Sequence, residues 1–133
     1  MKMDSGLRNS HIQTLVLQLS ATMAETSPKI KIMAGAAPDL SAATFQIFDE
    51  SHTIGNALRW MIMKNPKVEF CGYSVPHPSE NLIQLRIQMY DGLSSLNALL
   101  EALTNLDDVC ETVENKYHAS LATNDYERWE ERS

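Results

Sequence analysis

Asp49-Glu-Ser-His-Thr-Ile-Gly-Asn-Ala-Leu-Arg-Trp-Met61 and Val68-Glu-Phe-Cys-Gly-Tyr-Ser-Val-Pro-His-Pro78 are the two runs from which the fold is read. The first opens with acids and a hydroxyl, then turns helical. Ile54, Ala57, Leu58, Met61 and Ile62 fall at i, i+3, i+4, i+7 and i+8. That spacing is one apolar stripe of a helix from about Thr53 to Lys64. Asp49 and Glu50 suit the positive end of its dipole, and Ser51 or Thr53 is placed to cap free backbone N–H groups. Trp60 and Met63 lie off the stripe and give the helix a second apolar side. Asn65-Pro66 stops it. The second run predicts a strand from Val68 to Val75. Val68, Phe70 and Gly72 are expected on one face, and Glu69, Cys71 and Tyr73 on the other. The rigid turn Pro76-His-Pro-Ser79 closes it. Neither run carries a nucleophile–base pair, a metal cluster or a phosphate loop. The pattern is that of a chain built to pair with another protein.

Upstream, Thr44-Phe-Gln-Ile-Phe48 alternates polar and apolar and predicts a strand. Downstream, Ile83, Leu85, Ile87 and Met89 alternate with Gln84, Arg86 and Gln88, the cleanest strand in the chain. Asp91-Gly92 predicts a turn. Ser94 or Ser95 then caps a long helix striped by Leu96, Leu99, Leu100, Leu103, Leu106, Cys110, Val113, Tyr117 and Leu121. Continuous to Thr123, it spans ~43 Å against the ~30 Å width of a small domain. Part of its stripe must overhang the chain's own sheet. The order β, α, β, β, long α predicts a two-layer α+β domain. Three strands cannot bury two helices with several apolar faces, so this half-domain completes itself by dimerising.

The 133 residues allow one domain, with an ordinary 44% hydrophobic and 21% charged content. Residues 1–38 lack sustained periodicity and read as a flexible extension, in which Ile12–Leu19 forms at most a short, partner-bound helix. Residues 39–123 form the dimerisation domain, and 124–133 a charged, frayed tail. Residues 1–38 carry +2 of a total −6, leaving −8 on the rest. An acidic domain disfavours a nucleic-acid reader. Two cysteines in apolar periodic segments point to a reducing, intracellular setting rather than a disulfide framework. No apolar run approaches the ~18 residues of a membrane span, and Ile12–Leu19 is a poor signal peptide.

Candidate chemistry is thin. Cys71 and His77 are one Cys–His pair without the second pair that a zinc site wants. Cys71 reads as a small strand residue, Cys110 as a buried hydrophobe. His52 beside Thr53, near Asp49 and Glu50, could be drawn as a catalytic arrangement, yet triads come from distant segments. A cap or turn role fits it better. Gly55, which costs a helix ~1 kcal/mol relative to alanine, suggests close approach of another backbone. With Asn56 it offers a small polar patch, and Arg59 is placed to bridge to a carboxylate across it. Gly55 lacks the context of a phosphate loop. Lys64, Lys67 and Arg86 are too scattered for a nucleic-acid stripe. Asp107, Asp108, Glu111 and Glu114 read chiefly as a solvated helix face, with contact to a basic partner as the alternative.

Residues 42–122 resemble the small alpha-like subunits of cellular RNA polymerases. The shared marks are an acid at Asp49 or Glu50, His52-Thr-Ile-Gly-Asn56, Leu58-Arg59, Phe70-Cys-Gly-Tyr73 and Pro76-His-Pro78. Ile54 stands where the family usually has Leu. Within the family the chain is most similar to the branch shared by polymerases I and III. The similar runs there are Met61-Ile-Met-Lys-Asn-Pro66, Glu69-Phe-Cys-Gly-Tyr73, His77-Pro-Ser-Glu80 and Leu85-Arg-Ile-Gln88. The polymerase II branch typically has Ala at the position of Cys71 and Leu at that of Ser79. The resemblance implies a non-catalytic subunit that pairs with the larger alpha-like subunit. It also implies an assembly platform for the large catalytic subunits and a nuclear place, in nucleolus and nucleoplasm. No cofactor, metal, membrane or direct nucleic-acid contact is expected.

The expected packing and partner contacts are His52, Thr53, Ile54, Gly55, Asn56, Ala57, Leu58, Arg59, Met61 and Ile62 on the first helix. On the long helix they are Leu99, Leu103, Leu106, Cys110, Val113 and Tyr117. Leu58→Asp or Leu106→Asp is expected to destroy assembly. The nearest alternative is the same role in polymerase II. A second is a small homodimeric acid–base enzyme using His52 and Asp49. A third is a single-stranded nucleic-acid binder on the Gln84, Arg86, Gln88 face, which has no aromatic platform except Tyr90.

Overall fold

The computed structural model describes residues 27–129; the Ile12–Leu19 stretch lies outside them. Four strands, β1 (Ile30–Ile32), β2 (Ala42–Phe48), β3 (Val68–Ser74) and β4 (Leu82–Met89), form one antiparallel sheet in the order β1-β2-β4-β3. Two helices, α1 (His52–Met63) and α2 (Ser95–Thr123), pack on one face of it. The α+β, two-layer architecture with a long last helix is as expected. The strand count is one higher. β1 falls inside the segment read as a flexible extension, so ordered structure begins before residue 39. Three residues, Ile-Lys-Ile, are too short to register as a period. Their placement comes from β2, through Ile30↔Ile47 and Ile32↔Phe45.

The core lies between sheet and helices. Ala43, Phe45 and Ile47 of β2 and Ile83, Leu85 and Ile87 of β4 alternate inward and meet Leu58 and Ile62 of α1 and Leu99 of α2. Each large member, fully buried, contributes ~1.5–3 kcal/mol. On β3 the alternation breaks. A bulge between Val68 and Phe70 inserts one residue, and the faces exchange after it. Val68 and Cys71 both point to the core, while Phe70 pairs opposite Gln88 and Gly72 opposite Arg86 on the open face. The expected grouping of Val68 with Phe70 and Gly72 is therefore corrected.

Two loop contacts aim α2. Asp91 and Gly92 hold φ of 54° and 66°, and Leu93 N donates to Tyr90 O at 3.2 Å. Two left-handed central residues match the right-handed twist entering the turn, where glycine is unstrained. Ser94 is the N-cap; its side chain accepts from Asn97 N. Ser95 instead is an anchor: its backbone N–H and its hydroxyl both donate to Leu40 O, at 2.8 and 2.6 Å. The start of α2 is thus tied to the β1–β2 loop. The other helix start differs from expectation, because Ser51 occupies the N-cap of α1 without a side-chain cap bond.

Candidate dimerisation surface

Gly55 owes its identity to a contact within the chain. A Cβ there would lie 2.6 Å from Tyr73 Cδ2 and 2.8 Å from Cε2. The Tyr73 ring of β3 packs against the first turn of α1, and its hydroxyl sits 3.0 Å from His52 Nδ1. The expected approach of a foreign backbone is replaced by this ring. Gly55→Ala sets two effects against each other. Alanine adds ~1 kcal/mol of helix propensity, but overpacking against a ring held at both ends costs ~1–3 kcal/mol. A net loss of up to ~2 kcal/mol is expected from the urea midpoint. A gain in stability would show that the ring yields freely.

The expected contact residues separate by burial. Leu58, Met61, Ile62, Leu99 and Gly55 are buried within the chain itself. His52, Thr53, Asn56 and Cys110 are exposed, and Ile54, Ala57, Arg59 and Leu106 are half-buried. Cys110 is therefore not the buried hydrophobe the sequence suggests. Beyond Leu106 every residue of α2 to Thr123 is exposed, a projection of ~25 Å. Its face is nonetheless apolar: Val109, Val113, Tyr117 and Leu121 lie along it with Cys110, and Val113 and Tyr117 are more than 60% exposed. The overhang inferred from helix length is present. A helix held out from its domain with this stripe bare has the form of half an interface.

Residues 42–116 match the RNA polymerase Rpb3/Rpb11 dimerisation domain. The chain belongs to this family. Among curated relatives, the DNA-directed RNA polymerases I and III subunit RPAC2 of Saccharomyces cerevisiae is 54% identical over 90 residues. The match takes in 67% of this chain and 63% of the yeast protein's length. The subunit of the same name from Schizosaccharomyces pombe is 46% identical, over 77% of this chain and 82% of its own. Among solved structures, DNA-directed RNA polymerase subunit L from Thermoplasma acidophilum superposes with a TM-score of 0.61 at 17% identity. It aligns over 79% of this chain and 100% of its own length, a likeness of fold.

The dimerisation-domain match spans both the α1 motif and most of the bare α2 stripe. Of the residues weighed for chemistry, Glu50 pairs with Lys29 at 2.9 Å, the backbone N–H of Asp49 donates to Asn81 O, and His52 faces Tyr73. Among the described residues no hydrogen bond or ion pair joins His52 to Asp49 or Glu50. Cys71 is buried against the helices while His77 is exposed in its turn. Among the described residues no three His, Cys, Asp or Glu side chains come together to hold a metal. No described helix is long and apolar enough to cross a membrane. Arg59 Nη2 donates to Asn56 Oδ1 at 3.2 Å, one turn back on its own helix.

Sequence reasoning missed two surface features of this dimerisation domain. Phe70, half-exposed beside Arg86, enters the open sheet face through the bulge. Ile30 and Ile32 extend the helix-side face at the sheet edge and stay partly exposed. Neither left a signal in the sequence: Ile30-Lys-Ile32 is too short to show a period, and the bulge breaks the alternation of β3 without a marker residue.

The two cysteines give the surface a chemical readout. Burial pushes the Cys71 thiol up to about 11, against a smaller opposing pull from Arg59. At pH 8 only about one Cys71 in a thousand is thiolate, the reactive form. Cys110 is exposed on the α2 stripe. An aromatic disulfide reagent is therefore expected to titrate one thiol in the folded chain and the second only after unfolding. Two rapidly reacting thiols would contradict the buried placement of Cys71.

Proposed function

We propose that this chain is a non-catalytic subunit of DNA-directed RNA polymerases I and III. In this reading it pairs with the larger alpha-like subunit, and the pair is the platform on which further core subunits assemble. The bare apolar stripe of α2, in a chain of the dimerisation family, is the observation that carries it. Val113 and Tyr117 stand too far along α2 to reach the chain's own sheet, which supports burial by another chain. The family match supplies the kind of partner, and the two yeast relatives favour polymerases I and III. Synthesis of ribosomal RNA, 5S RNA and tRNA would then depend on the pair. The place of action would be the nucleus, in nucleolus and nucleoplasm. Catalysis of RNA synthesis belongs in this reading to other subunits.

The test is purification of the tagged chain from its own cells, with identification of what accompanies it. Large subunits of both polymerases I and III, with the larger alpha-like subunit in equal amount, are expected. Polymerase II subunits alone would reassign the chain to that enzyme. A homodimer with none of these would overturn the reading.

A further inference from the structure

The bare seam of α2 is not flanked evenly. Take Leu106, Cys110, Val113 and Tyr117 as its centre. Asp107, Glu111 and Glu114 then follow at i, i+4 and i+7 along one side, the spacing of neighbours on one helix face. Next in that row is His118, whose Nε2 is 3.7 Å from Glu114 Oε1. Along the other side run Asn105, Thr112, Lys116 and Ala119, with a single charge. All three acids are exposed, and none pairs with a lysine or arginine of this chain among the described residues. Over Ser95–Thr123 the helix carries five acidic side chains and one basic.

This asymmetry bears on which helix fits the seam. Two copies of this chain mated antiparallel about a two-fold axis set like flank against like flank. The row of Asp107, Glu111 and Glu114 would then face its own image. Mated in parallel, it would face a flank offering only Lys116. Neither arrangement supplies a row of cations. A helix with an apolar seam and lysines or arginines on the facing flank satisfies both features at once. Exposed charge pairs contribute little singly, so the effect rests on three acting together at the rim of a desolvated seam.

We infer that the acidic flank of α2 makes this chain select a partner helix bordered by basic side chains and reject a second copy of itself. The inference rests on the proposed pairing and deepens it by naming the partner's chemistry.

The test uses the chain co-expressed with the larger alpha-like subunit. In one variant, D107K, E111K and E114K are combined. In the other, Val113→Asp breaks the seam itself. The three flank sites are exposed and lysine is a good helix former, so circular dichroism should be unchanged. The wild-type pair is expected to weaken steeply as salt rises from about 0.1 to 1 M, as a screened interaction does. The triple variant is expected to pair about tenfold or more weakly at low salt, with a flat salt response. If it pairs with unchanged affinity and salt response while Val113→Asp fails to pair, the charge inference falls and the pairing reading stands. If Val113→Asp also pairs normally, the charge inference falls together with the placing of the contact on α2; if the wild-type chain itself does not pair, the proposed pairing falls.

Discussion

Leu58→Asp is expected to unfold the isolated chain, not merely to unseat its partner. Leu58 is 1% exposed, on the face of α1 that meets the sheet. Removing its side chain forfeits the transfer free energy and leaves a cavity, a loss of ~2–5 kcal/mol for truncation alone. A carboxylate in that space adds a desolvation penalty of several kcal/mol, with no buried cation among the described residues to offset it. A domain this size has ~5–15 kcal/mol of stability in all. Thermal melts of the isolated variant, followed by circular dichroism, should show no cooperative transition. A cooperative melt within a few degrees of wild type would place Leu58 outside the core. Failure of this variant to join a polymerase would follow from unfolding, so it cannot by itself locate the interface.

The same residue shows where the sequence could and could not be read. Leu58 and Val113 each belong to an apolar stripe with helical spacing, and the stripes look alike in sequence. Periodicity states that a face is buried; it does not state by what. Helix length supplied the missing distinction for α2, because ~43 Å cannot lie on a four-strand sheet. For α1 nothing in the pattern separated own-chain from partner contacts. The helix limits were legible: about Thr53–Lys64 was expected and His52–Met63 is present, and α2 ends at Thr123 as expected. Strong 3.6-residue periods with Asn65-Pro66 as a stop leave little freedom there. β1 was illegible because three residues acquire their role only from the register with Phe45 and Ile47. The reason for Gly55 was illegible for a related cause. Tyr73 reaches it across the fold, so the sequence signalled a close neighbour without saying which.

Val113→Asp is expected to have the opposite character to Leu58→Asp: an intact fold and a lost partner. Val113 is 62% exposed and sits seven residues beyond Leu106, the last α2 residue shielded by the chain's own core. The chain therefore loses almost no burial of its own, and the melting curve should stay within a few degrees of wild type. In the proposed heterodimer the same side chain lies at the middle of the seam between Val109 and Tyr117. A carboxylate there must be desolvated beside apolar surface, and a central truncation or charge in an interface costs ~2–4 kcal/mol. That is a thirty- to thousandfold rise in Kd, roughly, for the larger alpha-like subunit. Asn115→Asp is the control. It adds the same charge about 200° around the helix, on the side away from the seam, and should change Kd less than threefold. Size-exclusion chromatography and calorimetry of the two variants with the partner read the difference directly. Equal affinity for the two would mean that the projecting half of α2 is solvated in the assembly. The apolar stripe would then lie on the surface of the polymerase pair rather than within it.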